Sequence, residues 1–214
     1  MAGTISARAQ DYFEELAAAG RQVDVAAVHA YADALFEAWK HRRRVFVFGN
    51  GGSAFNASHH VCDYVKTASV EGAPRLHATS LSDNMGLTTA IGNDLDYDDI
   101  FRFPLESYAQ AGDLAVAISC SGNSPNVLRA CEWAREHGLT VVALTACSGG
   151  QLAKLGHVHI HVPTDNYGVA EDIHMSVGHI AAQMLKVRVG AEIAAKPAPD
   201  VAHVAPASPV AAAR

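Results

Sequence analysis

Five short strand-like segments alternate with helix-like segments along this chain, and this alternation constrains the fold more than any other feature. The first segment, RRVFVFG at 43–49, is a nearly continuous apolar run that ends at glycine, which is typical of a parallel strand buried on both faces. The others lie at 76–80, 113–119, 140–146 and 157–162. Since strand–helix–strand units build parallel sheets, the pattern predicts an α/β fold: an open, parallel, five-stranded sheet with flavodoxin-like layering, flanked by helices on both faces.

Amphipathic helices are predicted between the strands and at the amino end. Residues 5–20 and 24–41 place apolar side chains on one face at helical spacing and form an N-terminal helical pair. Further helices are expected at 54–66, 84–91, 97–110, 125–137, 150–155 and 169–189. The sequence therefore predicts a single domain over 1–194. The remaining segment, 195–214, holds four of the eight prolines and almost no large apolar residue, so we expect a disordered Ala/Pro-rich tail.

The composition and charge exclude several classes of protein. The formal net charge is −6, so no excess of cations exists to meet the phosphates of a duplex, and we expect no nucleic-acid partner. No apolar run approaches the roughly 20 residues that span a bilayer, and acids interrupt the first 20 residues where a signal peptide needs an apolar stretch. The four cysteines form no CxxC pair, which favours reduced thiols and a cytoplasmic protein without a membrane partner.

Two loops that follow strands are rich in glycine and serine. GNGGS occupies 49–53 and SCSGNS occupies 119–124, and ligands of open α/β sheets bind at the carboxyl ends of strands. Glycines let the backbone approach a ligand, while Pro125 suits the first position of the helix after the second loop. The free N–H groups of such a helix start, with serine hydroxyls, form an anion site. Each loop alone could be an ordinary turn, but together they favour a phosphorylated small molecule.

Four ionisable side chains have the spacing to converge on one site. His59 and Asp63 are four residues apart on the helix after GNGGS, so they share a face. Glu171 and His179 are eight apart on the last helix, which separates them by about 80° around its axis. Two histidines and two carboxylates suit zinc or a similar divalent ion. With 12 histidines in the chain, chance pairs are expected, and spacing alone leaves a structural role open.

The order of these motifs resembles a known family. GNGGS, a helix with a His-x-x-x-carboxylate pattern, GND at 92–94 and S-x-SGNS are together similar to the sugar isomerase (SIS) domain, and more closely to the phosphoheptose isomerases, over about residues 30–190. That family converts sedoheptulose 7-phosphate to a heptose 7-phosphate. The resemblance implies a SIS-type fold, an aldose–ketose isomerase acting on a phosphorylated heptose-type sugar through a metal-assisted enediol, and a homotetramer with active sites at subunit interfaces.

The resemblance also assigns substrate contacts. The residues that would hold the sugar phosphate are Ser53, Ser119, Ser121 and Ser124. Those that would line the sugar site are Asn50, Gly51, Gly52, Asn93 and Asp94. Cys120 replaces the family's usual threonine and would contribute its backbone N–H, and Glu171 completes the predicted substrate-binding set.

The metal and catalytic residues follow from the same resemblance. The family has His, Glu, Gln and His around its zinc, and these positions are His59, Asp63, Glu171 and His179 here. Asp63 stands at the family's catalytic glutamate and would be the base at one carbon, while His179 would be the acid or base at the other. Asp for Glu withdraws the carboxylate by one methylene. Glu for Gln adds a negative charge, which strengthens the case for a cation.

Other departures from the family's pattern concern residues that would recognise the sugar. Thr67 stands where the family has an arginine, and Gly168 and Val169 replace an Asp-Arg pair just before Glu171. These differences leave open the exact sugar. They also leave open an alternative function, that of a non-catalytic SIS protein that binds a phosphosugar or bridges protein partners.

Overall fold

The computed structural model describes residues 8–195, in which helices and strands alternate as predicted. The strands are β1 Arg44–Gly49, β2 His77–Ser80, β3 Leu114–Ser119, β4 Thr140–Thr145 and β5 Val158–His161. The α-helices are α1 Ala9–Gly20, α2 Val25–Lys40, α3 Gly52–Cys62, α4 Met85–Asp94, α5 Arg102–Tyr108, α6 Pro125–Glu136, α7 Leu152–Leu155 and α8 Tyr167–Ala194. The tail expected over 195–214 lies outside the described residues except for Ala195.

The five strands form one parallel sheet in the order β2-β1-β3-β4-β5, which confirms the predicted fold class. Gly49 at the end of β1 pairs with Ile118 of β3, and Ser119 pairs with Thr145 of β4. The strand order reverses between β1 and β3, so the loops after these two strands leave in opposite directions and open a crevice between them. Both loops singled out in the sequence therefore border the same crevice.

The alternation of side chains on the central strands fills two cores, one on each face of the sheet. On β3, Val116 and Ile118 pack with buried residues of α2 and α8, whereas Ala115 and Ala117 pack with α5 and α6. Every residue of β3 is buried. A strand covered on both faces has no polar side of its own, which explains its continuous apolar sequence.

A close crossing of α3 and α8 positions the ionisable residues. His60 of α3 is fully buried, and its Nε2 donates to the carbonyl oxygen of His174 at 3.0 Å. A Cβ at Gly178 of α8 would overlap the His60 ring, so glycine at this position permits the helices to approach. The crossing brings His59 of α3 beside His179 of α8, with their ring centroids 5.0 Å apart.

Two of the predicted helices are corrected by the structure. The helix expected over 54–66 changes at its end into a π-helical turn, Asp63–Thr67, which the Ala68 N–H closes by donating to the Asp63 carbonyl oxygen at 2.8 Å. The helix expected over 97–110 is split into a 3₁₀ turn, Tyr97–Asp99, and α5. A single widened or tightened turn shifts side-chain spacing too little for apolar periodicity to reveal it. Between residues 8 and 195, no helix combines the length and apolar character needed to cross a membrane.

Candidate active site

A cavity of about 290 Å³ lies in the crevice between the glycine loop (residues 49–53) and the serine loop (residues 119–124). The structure brings nearly all of the predicted substrate-binding residues to this one cavity. The residues that line it are Asn50, Gly51, Gly52, Ser53, Ile118, Ser119, Cys120, Ser121, Ser124, Tyr167 and Glu171. Most of these groups are neutral hydrogen-bonding groups, which suit an anionic or polyhydroxylated guest.

Backbone conformation and close packing explain the glycines of the glycine loop. Gly51 has φ of +55°, a left-handed conformation that other residues adopt at a cost. A Cβ at Gly49 would lie 2.5 Å from the carbonyl oxygen of Ile118, and one at Gly52 would overlap the carboxylate of Glu171. The glycines therefore let β1 approach β3 and let a carboxylate from α8 lie against the start of α3.

An amide pair links the glycine loop to the first turn of α6, the helix that follows the serine loop. Asn50 Nδ2 donates to Asn126 Oδ1 at 2.9 Å, and Asn126 Nδ2 returns a bond to Asn50 Oδ1 at 3.0 Å. Asn126 is only 1% exposed, so its side of the pair is shielded from water, while Asn50 lines the cavity. Within the serine loop, Ser119 Oγ accepts from the Gly122 N–H at 3.2 Å. The rim of the cavity is thus fixed by its own hydrogen bonds.

Asn93 and Asp94 do not line this cavity. Both are exposed at the end of α4, where Asn93 Nδ2 donates to Asp94 Oδ1 at 2.7 Å. The nearby Tyr97 reaches the site instead, since its hydroxyl donates to Asn50 Oδ1 at 3.4 Å. The predicted contact of Asn93 and Asp94 with a sugar stays a prediction.

Three of the four predicted metal ligands meet at the α3–α8 crossing. Each of His59, Asp63 and His179 offers one ligand atom, and these atoms lie within 4.8 Å of one another. His179 Nδ1 is 2.7 Å from Asp63 Oδ2, and His59 Nε2 is 3.7 Å from the same oxygen. Side-chain exposure is 47% for His59 and 44% for His179 but only 11% for Asp63. The cluster therefore opens to solvent on its imidazole side.

The environment of Asp63 favours its ionised form. Burial alone would raise the pKa of this carboxyl, but hydrogen bonds from His179 and Thr67 and the nearby imidazoles outweigh it, so the pKa is lowered. Thr67 Oγ1 donates to Asp63 Oδ1 at 2.9 Å, while Oδ2 faces the histidines. The two carboxylate oxygens thus have separate partners, and Asp63 is an anion at neutral pH.

The chemistry of this cluster fits a divalent metal. Two imidazole nitrogens and one carboxylate oxygen are a ligand set that zinc takes at catalytic sites, where a fourth position stays open. Glu171, the other predicted ligand, is not part of the cluster, because its carboxylate lies against Gly52 and lines the cavity. Burial, with a smaller contribution from Asp172, raises the pKa of Glu171. Its part in a metal site stays a prediction.

Cys120 is a buried component of the serine loop. It is 4% exposed, and burial raises the pKa of its thiol to about 12. The thiol is therefore protonated at neutral pH and is a poor nucleophile. This agrees with a contribution from its backbone alone.

From the sequence, no role in the site was expected for Tyr97, whose hydroxyl reaches Asn50, or for three further residues. Tyr167, the first residue of α8, lines the cavity. Asn126 pairs with Asn50, and Thr67 holds Asp63. Only the contact of Thr67 could have been predicted, because it is four residues from Asp63 on the same helical segment.

Comparisons with known proteins identify the family of this chain. The model of the SIS domain family matches residues 11–146, more than half of the chain. A phosphoheptose isomerase of Mycobacterium tuberculosis is 42% identical over 153 residues, which cover 72% of this chain and 78% of the relative. A probable phosphoheptose isomerase of Thermoplasma acidophilum is 35% identical over 177 residues, which cover 83% of this chain and 97% of the relative.

Solved structures of two phosphoheptose isomerases have the same fold as this chain. A phosphoheptose isomerase structure from Francisella tularensis superimposes with a TM-score of 0.78 at 27% identity, covering 83% of this chain and 96% of that one. One from Neisseria gonorrhoeae superimposes with a TM-score of 0.76, also at 27% identity, covering 83% and 94%. The likeness thus extends over nearly the whole length of both solved chains.

Proposed function

Since this chain belongs to the phosphoheptose isomerase family of SIS-domain proteins and is a sugar-phosphate isomerase, we propose that it interconverts sedoheptulose 7-phosphate and a heptose 7-phosphate, or a close analogue. The observation that carries the proposal is the pairing of Asp63 Oδ2 with His179 Nδ1 at 2.7 Å, near a cavity of neutral hydrogen-bond donors. An acid–base pair near a phosphate site is what an aldose–ketose isomerisation requires.

The loops would bind the end of the substrate that does not react. Backbone N–H groups at the starts of α3 and α6, with the hydroxyls of Ser119, Ser121 and Ser124, can surround a phosphate. Binding energy from this remote group orients the sugar so that its reacting carbons reach Asp63 and His179. Tyr167 also lines the cavity and would add a neutral donor.

The side chains of the cluster would carry the proton transfers. In the ketose-to-aldose direction, Asp63 would remove a proton from C1, which leaves an enediolate, and His179 would give a proton to C2. The proton on Asp63 would then pass to His179 through their hydrogen bond, which restores both groups. Hydrogen also moves from the oxygen of C1 to that of C2, so the atoms balance. The lowered pKa keeps Asp63 ionised and able to accept. Thr67 holds its other oxygen, which directs Oδ2 toward the reaction.

A divalent ion, in our proposal zinc, would be held by His59, Asp63 and His179, with Glu171 as the predicted fourth ligand. When bound, such an ion supplies Lewis-acid polarisation of the substrate's carbonyl oxygen. Metal analysis of the purified protein tests the assignment. One ion per chain is expected, with loss of the ion in His59→Gln, and a metal-free but fully active protein would contradict it.

We further propose a cytoplasmic homotetramer with active sites at subunit interfaces. Two observations support an interface at the site. The imidazoles of His59 and His179 are half-exposed, and Phe55, one turn before His59 on α3, is 78% exposed although it is a large apolar residue that a partner subunit could cover. The cysteines, all free among the described residues, support a reducing compartment.

The decisive experiment replaces the proposed base. Asp63→Asn should lower kcat by about 10²–10⁴-fold, the usual contribution of a general base, and should stop deuterium incorporation from heavy water into the heptulose phosphate. Inhibition by inorganic phosphate should stay unchanged, because the phosphate loops are separate from Asp63. Asp11→Asn, which removes an exposed carboxylate from α1, is the matched control. Normal turnover in Asp63→Asn would refute the assignment.

A further inference from the structure

The serine loop rests on a second loop that lines no part of the cavity. This bracing turn, residues 147–152, follows β4, and because β3 and β4 are neighbours in a parallel sheet, the two loops lie side by side. The N–H of Leu152 donates to the carbonyl oxygen of Gly122 at 2.9 Å. At the end of β4, the N–H of Ala146 donates to the carbonyl oxygen of Cys120 at 2.9 Å.

The contact between the two loops is made by backbone atoms without intervening side chains. Gly150 has φ of +56°, and a Cβ there would lie 2.5 Å from the carbonyl oxygens of both Ser121 and Gly122. A Cβ at Gly122 would overlap the carbonyl oxygen of Gly149. Since backbone cannot rotate away as a side chain can, an added atom at either glycine must push the two loops apart.

The side chain of Asn123 adds a second link. Its Oδ1 accepts from the Gln151 N–H at 3.1 Å, and its Nδ2 donates to the carbonyl oxygen of Ser121 at 3.1 Å. Asn123 is exposed and is not among the residues that line the cavity. Its contacts therefore act on the shape of the loop and not directly on a ligand.

The hydrogen bond from Ala146, the residue just before the bracing turn, determines where one N–H group of the serine loop points. In a planar trans peptide the C=O and N–H bonds point in opposite directions. The Cys120 carbonyl is bonded toward β4, so the N–H of the same peptide, that of Ser121, points away from β4 and toward the crevice beside β1. Holding this carbonyl oxygen toward β4 thus orients the Ser121 N–H on the opposite side, whereas the N–H groups of Gly122 and Asn123 are used within the loop by Ser119 Oγ and Ser121 Oγ.

We propose that the bracing turn positions the serine loop for phosphate binding, with Gly150 and Asn123 as positioning residues. This inference rests on the proposed function, because it concerns the same phosphate site. It adds that phosphate affinity depends on a loop that never touches the ligand.

The test compares Asn123→Ala and Gly150→Ala with the wild-type protein, using inorganic phosphate as the probe in calorimetry and sedoheptulose 7-phosphate in steady-state kinetics. Asn123→Ala removes the link without adding bulk, so it remains informative if Gly150→Ala does not fold. In each folded variant we expect phosphate Kd and substrate KM to rise about tenfold or more, since small misplacements of binding groups are costly. The content of bound metal should change little, because its proposed ligands lie outside both loops.

Gly72→Ala is the matched control. Gly72 also has a left-handed φ, +77°, but a Cβ there meets nothing within 4 Å, so backbone strain is present without the contact. Its phosphate Kd should equal that of the wild type. Unchanged phosphate binding in Asn123→Ala, alongside normal wild-type binding, would overturn the inference alone. Absence of phosphate binding by the wild type would overturn the proposed function and this inference together.

Discussion

Thr67 illustrates how much a single hydroxyl can contribute to this site. By the resemblance, Thr67 stands where the family has an arginine, and this departure leaves open the exact sugar. In the structure, Thr67 Oγ1 donates to Asp63 Oδ1 at 2.9 Å and helps to lower the pKa of that carboxyl. The substitution therefore acts on the orientation and acidity of the proposed base.

Thr67→Val keeps the shape of the side chain and removes its donor. We expect the pKa of Asp63 to rise, which moves the acidic limb of the kcat/KM profile to higher pH, and kcat to fall about tenfold, in line with one hydrogen bond to a charged group. Thr67→Ser, which keeps the hydroxyl, should restore both values. A pH–rate profile measures the effect, and identical profiles for Thr67→Val and the wild type would contradict the role.

At the residue scale, the sequence reveals the types of residue in each loop and the spacing of side chains along one helix. The glycine and serine loops could be predicted because their residue types and their places after strands are visible in the sequence. His59 and Asp63 could be paired from their spacing. The Asn50–Asn126 pair joins residues 76 positions apart, and the separation of Glu171 from the other three acid and imidazole groups depends on packing, so neither could be predicted from the chain alone.

At the scale of elements, the α3–α8 crossing determines the geometry of the cluster. All five strands were predicted to within a few residues, because apolar runs mark them clearly. The depth of a helix crossing has no comparable sequence signal. It depends here on Gly178 facing a buried His60, and the π-helical turn that carries Asp63 belongs to the same contact region.

Gly178→Ala tests this crossing. The added methyl would overlap the His60 ring, and overpacking of this kind costs about 1–3 kcal/mol of the free energy of unfolding. Metal affinity should also fall as α3 and α8 separate. Gly190→Ala on the same helix meets nothing within 4 Å and should instead stabilise the protein by about 0.5–1 kcal/mol. Urea denaturation compares the two, and equal effects would argue against a specific crossing.

At the scale of the whole molecule, buried imidazoles link stability to pH. His174 is fully buried beneath the sheet, its Nε2 donates to the Thr145 carbonyl oxygen at 3.1 Å, and burial lowers its pKa to about 4. His60 has the same burial and a pKa of about 4. Between that value and the ordinary value of about 6.5, the unfolded chain binds more protons than the folded chain.

The contribution of these two imidazoles to the free energy of unfolding should therefore be complete above about pH 6.5. It should fall as the pH drops toward 4. Each imidazole contributes at most about 1.4 kcal/mol per pH unit to the slope. His174→Gln retains a donor for Thr145 and removes one titrating group, so its free energy of unfolding should fall less steeply with acid. Urea denaturation from pH 7.5 to 5, with a chelator present, gives both slopes, and parallel slopes would contradict the account.

The mostly neutral lining of the cavity has a consequence for how salt affects the enzyme. The lining side chains carry a single charge, that of Glu171, and the chain as a whole has a formal charge of −6. A doubly charged sugar phosphate approaches against this field and is held by dipoles that act only at contact. Dissolved ions screen the repulsion beyond roughly 8–10 Å and leave short hydrogen bonds in place. The rate of substrate association should then increase as ionic strength rises. A pocket lined with lysine or arginine behaves in the opposite way, because salt screens its attraction for the phosphate.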